Sequence, residues 1–388
     1  MKTMNILHIN GAGITDRFYD IFFEQIRKTE DSIQDIYIAY NRSDYKDEEI
    51  ARLSMYYENI NPILSPIKNN IDRFMYFNKI RKYSDDLEMK TEIKKYEIIH
   101  AHSLFTDGGV AYTINKRYGI PYIVSVRITD INIFMKYFLH LKLFMEMILS
   151  NASQVVFLNP SLQKSLYKKI INSKYKRSIE LKSKVLPNGI NNFWLENAYY
   201  AYYKSRNNPI HLIQVGKLTK AKNTKTTIYA LRELKKRKID ATLDVVGTGP
   251  ELKRLEKLVY KLGLKKSVKF HGFINNKENL LRLYREADIF VLPSYAETFG
   301  IVYIEAMSQG LPVIYTKGQG IDGYFEKGEV GFPIDPFSPK EICDAIIEIN
   351  SNYDQISKRC TELVCKFNWI DIAREYHQLY EMYKKGNQ

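Results

Sequence analysis

The stretch from residue 289 to residue 313 constrains the fold more than any other. Ile289-Phe290-Val291-Leu292 is an apolar run of strand length, and Pro293-Ser294 ends it. Glu297-Thr298-Phe299-Gly300 then leads into Ile301-Val302-Tyr303-Ile304-Glu305-Ala306-Met307, and Gly310-Leu311-Pro312-Val313 follows. Glycine just past a periodic segment is a helix stop, so the order reads strand, loop, helix, strand. The same alternation fills the rest of the chain. Candidate strands fall at 5–10, 35–40, 98–102, 122–126, 154–158 and 184–187, then at 211–215, 242–246, 268–270, 289–292 and 313–315. Strands separated by helical segments mean α/β architecture with parallel sheets. A chain of 388 residues with 45% hydrophobic content can bury two cores. The polar, tyrosine-rich segment 191–209 has no clear period and is the expected linker.

Two carboxylates stand eight positions apart here, Glu297 at the helix entrance and Glu305 inside it. Helical rise would put their Cα atoms about 12 Å apart along the axis, the span from a sugar to a ribose across a diphosphate. Between them the helix start offers free N–H groups and a positive dipole end, which suit phosphate. Glu305 sits among Tyr303-Ile304 and Ala306-Met307, poor company for a solvated side chain. The bland alternative is an ordinary crossover whose two glutamates face water.

This stretch resembles the E-x7-E signature of retaining GT-B glycosyltransferases of family 4. The match takes in Ala287-Asp288, Pro293-Ser294, Glu297-Thr298-Phe299-Gly300, Glu305-Ala306-Met307 and Gly310-Leu311-Pro312-Val313. The resemblance implies two Rossmann-like domains facing each other across a cleft. An acceptor-binding domain would cover 1–190, the linker 191–209, and a nucleotide-sugar domain 210–366. A terminal helix over 367–388 would cross back to the first domain. Trp369, Ile372, Tyr376, Leu379, Tyr380 and Tyr383 have helical spacing, which a plain C-terminal core helix satisfies as well.

Further landmarks follow the same order. Lys217, after Val215-Gly216, and Lys222 resemble the family's phosphate-clamping pair, with lysine where arginine is usual. The charge is kept and the bidentate fork is lost. Fixed cations stabilise a departing nucleoside diphosphate, and the C-terminal end of a strand is where open α/β sheets bind ligands. Exposed lysines without a role are the alternative. Val246-Gly247-Thr248-Gly249-Pro250 and His271-Gly272-Phe273 match landmarks near the donor nucleoside, and Leu186-Pro187-Asn188-Gly189-Ile190 matches the close of the first domain. Gly11-Ala12-Gly13 fails the dinucleotide fingerprint, because Asp16 stands where a third glycine belongs. The resemblance gives Gly13 a place beside the donor phosphates.

Two positions depart from the pattern or leave alternatives open. Arg127-Ile128-Thr129-Asp130 stands where many relatives have His-Gly-x-Asp. Arg127 cannot act as a base at neutral pH, but it could pair with phosphate or an acidic acceptor, or bridge to Asp130. His100-Ala101-His102 ends a strand, and the expectation is that its imidazoles take opposite faces, which argues against a shared metal ion. No D-x-D pair occurs either. His102, with Ser103 and Asp107-Gly108-Gly109, resembles an acceptor-side landmark; a satisfied core histidine fits equally.

The net charge of +14 is uneven. Residues 1–150 are balanced, whereas Lys164, Lys168, Lys169, Lys174, Lys176, Arg177, Lys182 and Lys184 face only Glu180. Before them runs the aromatic, apolar, lightly basic segment 134–145. Either these form a surface resting on anionic lipid headgroups, or 134–149 is a core helix and the lysines a solvated face. No signal peptide, transmembrane segment or nucleic-acid-binding module is recognisable, so the expected location is cytoplasmic, at most peripheral on the inner membrane face. Cys343, Cys360 and Cys365 lack zinc spacing and read as buried or semi-buried thiols.

The expected activity is transfer of a hexose or N-acetylhexosamine from a nucleotide-sugar, UDP-linked before GDP or ADP, to a glycan or lipid-linked acceptor of a bacterial surface polysaccharide. Glu297 would bind sugar hydroxyls and Glu305 ribose hydroxyls. Lys217, Lys222 and N–H groups around Thr298, Phe299, Gly300 and Ile301 would take the diphosphate, with Gly216, Gly272 and Phe273 alongside. Glu297, Lys217, Lys222 and Arg127 are the expected catalytic residues, and His102 and Asp130 would lie toward the acceptor. The lysines replace a metal, and no cofactor is expected. A sugar-nucleotide epimerase of the same fold and a non-catalytic partner of another transferase are the competing readings.

Overall fold

A computed structural model describes residues 4–11, 21–26, 32–41, 60–69, 72, 75–199 and 209–384. The chain forms two compact units. One comprises residues up to Leu158, Leu162–Pro187 and the chain from Trp369 on; the other comprises Asn159–Ser161 and Asn188–Asn368.

The first unit carries a seven-stranded sheet of β1 (Met4–Ile9), β2 (Ser32–Ala39), β3 (Ile60–Ser65), β4 (Ile98–Ala101), β5 (Tyr122–Val126), β6 (Gln154–Phe157) and β7 (Ser183–Val185). The second has six, β8 (Ile210–Val215), β9 (Ala241–Val246), β10 (Val268–Gly272), β11 (Ile289–Leu292), β12 (Val313–Thr316) and β13 (Gly331–Ile334). The orders are β3-β2-β1-β4-β5-β6-β7 and β10-β9-β8-β11-β12-β13. Every described pairing is parallel. Central strands are apolar on both faces, as β11 and β12 show by burying every residue. In each sheet the order reverses beside the first strand, between β1 and β4 and between β8 and β11. Loops leaving those strand ends diverge and open a crevice, the usual ligand position in such sheets.

β3 and β13 were not expected from the sequence. Both are edge strands and both contain proline, Pro62 and Pro333. Residues 191–199, assigned to a structureless linker, instead hold a helix at Asn192–Glu196 capped by the Asn191 side chain. Its Trp194 is buried in the core of the second unit. Residues 200–208 lie outside the described part. Helix Trp369–Glu381 packs within the first unit, where Trp369, Ile372, Tyr376, Leu379 and Tyr380 join Ile6, Ile36 and Phe22 in one cluster. Cys343 and Cys360 are buried, whereas Cys365 is exposed. Among the described residues no helix is long and apolar enough to cross a membrane.

Candidate functional site

The crevice of the second unit is built from two loops that hold each other. One leaves β8 as Gly216-Lys217-Leu218 and turns through a 3₁₀ segment at Lys220–Lys222 into helix Thr224–Lys236. The other leaves β11 and runs through Glu297 to helix Ile301–Ser308. Asn223 joins them. It has the left-handed φ of +52° that asparagine tolerates better than most residues. Its amide donates to the carbonyls of Pro293 at 2.9 Å and Pro336 at 2.7 Å. The Tyr295 N–H adds a bond to the Ala221 carbonyl at 2.8 Å. Sequence reasoning passed over Asn223; its signal was an asparagine immediately before a helix and after a lysine-rich turn.

These constraints bring Lys222 and Glu297 together, Nζ to Oε2 at 2.6 Å. The lysine stem passes over Gly216, where it lies within van der Waals reach of a Cβ placed there. Glu297 is buried and also accepts from Ser294 Oγ at 3.3 Å, while its own N–H donates to Gln319 Oε1 at 2.8 Å. Lys217 is exposed and makes no side-chain ion pair among the described residues. Gly300 has φ +77°, and a Cβ there would stand 2.5 Å from the Tyr303 ring, so only glycine fits this entrance. The Thr298 carbonyl accepts from Asn159 Nδ2 at 2.8 Å, and Phe299 is buried beneath. Gly272 closes the far side by accepting the Gly247 N–H at 2.7 Å, and Phe273 beside it is 69% exposed.

Only Ile301–Ser308 is helical, so the rise assumed from Glu297 to Glu305 applies to the second half of that span. Among the described residues Glu305 makes no ion pair. Burial pushes its carboxyl up to about 7, opposed by hydrogen bonds from the Tyr284 hydroxyl and Trp194 indole and by the more distant Lys277 charge. The Tyr284 hydroxyl is 3.4 Å from Oε2. Trp194 is a second residue the sequence reading missed, because it lay in the segment taken for linker.

In the first unit, Gly13 lies outside the described residues. The neighbouring Gly11 N–H donates to Asp107 Oδ1 at 3.1 Å, across the β1–β4 switch point. Asp130 is buried and accepts N–H groups from Arg127 at 2.7 Å, Leu104 at 3.1 Å and Phe105 at 3.4 Å. Burial raises Asp130 to about 6 and Asp107 to about 7. Arg127 meets Asp130 through its main chain, and its Nε donates to the His102 carbonyl at 2.8 Å.

The histidines correct an expectation. Residues two apart on a strand share a face, so His100 and His102 stack with ring centroids 4.2 Å apart. His8 joins them from β1, where it is the register partner of His100. His8 Nδ1 lies 3.0 Å from His102 Nε2, and His100 is hydrogen-bonded to Ser125 at 2.9 Å and to Tyr380 at 2.7 Å. All three rings are buried, and burial lowers their pKa, to about 3 for His8. One nitrogen from each lies within 4.8 Å of the others, so opposite faces are no ground for excluding a shared ion.

Residues 201–363 match the family described as Glycosyl transferases group 1. The chain is 26% identical over 345 residues to an uncharacterized glycosyltransferase of Methanocaldococcus jannaschii, covering 84% of this chain and 86% of that one. It is 25% identical over 278 residues to alpha-monoglucosyldiacylglycerol synthase of Acholeplasma laidlawii, 66% of this chain and 67% of the relative. Among solved structures, the Anabaena protein HepE in complex with UDP and glucose superimposes with a TM-score of 0.67. That match has 17% identity over 97% of this chain and 99% of the other.

Proposed function

We propose that this chain, a GT-B glycosyltransferase whose residues 201–363 belong to the group 1 family, moves a hexose or N-acetylhexosamine from a UDP-sugar to a glycan or lipid-linked acceptor, with retention at the anomeric carbon. The observation that carries this reading is the Lys222–Glu297 pair at the β8–β11 switch point, in front of a helix N-terminus and on the same segment as Glu305. A nucleotide-sugar presents hydroxyls at both ends and charge in the middle. Glu297 takes the sugar hydroxyls, Lys217, Lys222 and the N–H groups at Gly300 and Ile301 take the diphosphate, and Glu305 takes the ribose.

Retention follows from front-face attack. The acceptor oxygen bonds to the anomeric carbon as the bond to the leaving phosphate breaks, and a phosphate oxygen receives the acceptor proton. The lysines neutralise charge that grows on the diphosphate, so they act more strongly in the transition state than in the ground state. Arg127 and Asp130 shape the acceptor side. UDP and glucose bound to HepE support the donor class, and the diacylglycerol named for the Acholeplasma relative supports a lipid-linked acceptor. The setting is bacterial surface-glycan assembly.

A thermal-shift screen of UDP-, GDP- and ADP-sugars tests the donor. A specific ligand at about 100 times its Kd stabilises the protein by about 2.7 kcal/mol. Acceptor-dependent release of nucleoside diphosphate, with an axial product anomer from an axial donor, then tests transfer. No shift with any sugar nucleotide, or release that Glu297→Ala leaves unchanged, defeats the proposal.

A further inference from the structure

Segment 130–151 of the first unit has two apolar faces, and only one is covered. Ile131, Met135, Leu141, Met145, Ile148 and Leu149 enter the core. Turned the other way are Ile133, Tyr137, Leu139 and Leu143, at 47%, 67%, 70% and 75% exposure. Phe77, 56% exposed, extends the patch through an edge-to-face contact with Phe144 at 5.2 Å. Isolated exposed hydrophobics are common, but neighbouring ones on a single turn-rich segment mark an interaction surface. The segment is therefore a core element on one face and an exposed apolar surface on the other.

Within the stretch that carries the patch the charge is of one sign. Residues 131–145 contain Lys136, His140 and Lys142 and no carboxylate. The next acid, Glu146, is buried and accepts from Ser173 at 2.7 Å. That bond and Lys182, which donates to the Ser150 and Ala152 carbonyls, fasten helix Lys142–Asn151 to the lysine-rich stretch carrying Lys174 and Arg177.

We propose that this face docks on the surface of an anionic lipid bilayer, Leu139 and Leu143 entering the headgroup–acyl boundary while Lys136 and Lys142 contact acidic headgroups. A two-fold dimer through the same face would set like charges from two copies against each other, whereas anionic lipid neutralises them. The inference deepens the lipid-linked-acceptor reading, since a surface-held enzyme meets its acceptor in two dimensions. It is tested without donor or acceptor, so the two readings fail separately.

The test is co-sedimentation of the full chain with vesicles of phosphatidylcholine alone or with about 30% phosphatidylglycerol, which gives a strongly negative surface. The native protein should bind the anionic vesicles, bind neutral ones weakly, and dissociate as salt rises. K136Q/K142Q should weaken binding by roughly an order of magnitude at low salt. L139E/L143E should reduce it to background while melting at the native temperature, because both positions are exposed. Equal binding to both vesicle types, or native-like binding by L139E/L143E, overturns the proposal. So does a native dimer that L139E/L143E converts to monomer, which would assign the face to a second copy.

Discussion

Glu297 and Glu305 are the same residue type in opposite electrostatic company. Glu297 has an ammonium at 2.6 Å, while Glu305 has only hydrogen-bond donors and a distant lysine. Under the proposed mechanism, replacing Lys222 with alanine removes a transition-state cation, and it leaves the buried Glu297 carboxylate without its ion-pair partner. The expected loss in kcat is on the order of 100-fold or more. Glu297→Gln should also be damaging, yet the double variant should lose less than the product of the two, because the pair is coupled. Steady-state kinetics on the four proteins checks this, and strict additivity would show that the two side chains act apart. For Glu305 the folded pKa lies above its unfolded value, near 7 against 4.5. The stability it contributes is present below about pH 4.5 and is lost as pH rises through about 7. Donor binding runs the other way. If Glu305 takes the ribose as proposed, the hydroxyls need its carboxylate as acceptor, so donor affinity should rise with pH through about 7, by up to about tenfold per unit below it. Calorimetric titration between pH 5.5 and 8 measures the slope, which Glu305→Gln should flatten.

At the scale of elements, the site depends on two loops being set before any ligand arrives. Gly300→Ala would force a left-handed backbone onto alanine and drive its methyl into Tyr303, a buried ring whose hydroxyl is tied to the Leu292 carbonyl at 2.6 Å. A cost on the order of 2 kcal/mol or more is expected. Asn223→Ala loses the side-chain bonds that hold the lysine turn to the β11 loop at Pro293 and to the segment after β13 at Pro336. It should destabilise by about 1–3 kcal/mol and raise the donor KM. Denaturant unfolding with donor kinetics separates these effects, and an unchanged KM in Asn223→Ala would show that the turn holds itself. The same elements show what was legible in advance. β5 and β11 were bounded correctly because fully buried strands appear as unbroken apolar runs. β3 and β13 were hidden because edge strands carry proline and polar residues that weaken the pattern. Lys222 and Glu297 were readable from the motif that carries them. Trp194 and Asn223 were not, since their work depends on chain segments that only folding brings near.

At the scale of the whole chain, the last helix returns to the first unit after the second is complete. Its contribution there is chiefly apolar. Trp369, Ile372, Tyr376, Leu379 and Tyr380 are buried, and at about 1.5–3 kcal/mol each they amount to roughly 8–15 kcal/mol as an upper estimate. That is the size of a typical domain's entire stability, about 5–15 kcal/mol. Lys184–Glu375, at 2.8 Å and half exposed, adds little by comparison. Tyr380 matters differently, because its hydroxyl is the partner of buried His100 at 2.7 Å. Tyr380→Phe keeps the ring and orphans that nitrogen, so a loss of about 1–3 kcal/mol is expected. A chain ending at Asn368 should lose far more, and selectively. Hydrogen exchange should show β1, β2 and β4 deprotected, whereas β8 and β11, whose core lacks these side chains, keep their native rates. Equal deprotection of both sheets would mean that the units unfold as one, and unchanged exchange throughout would mean that the helix is an ornament on a core already sufficient without it.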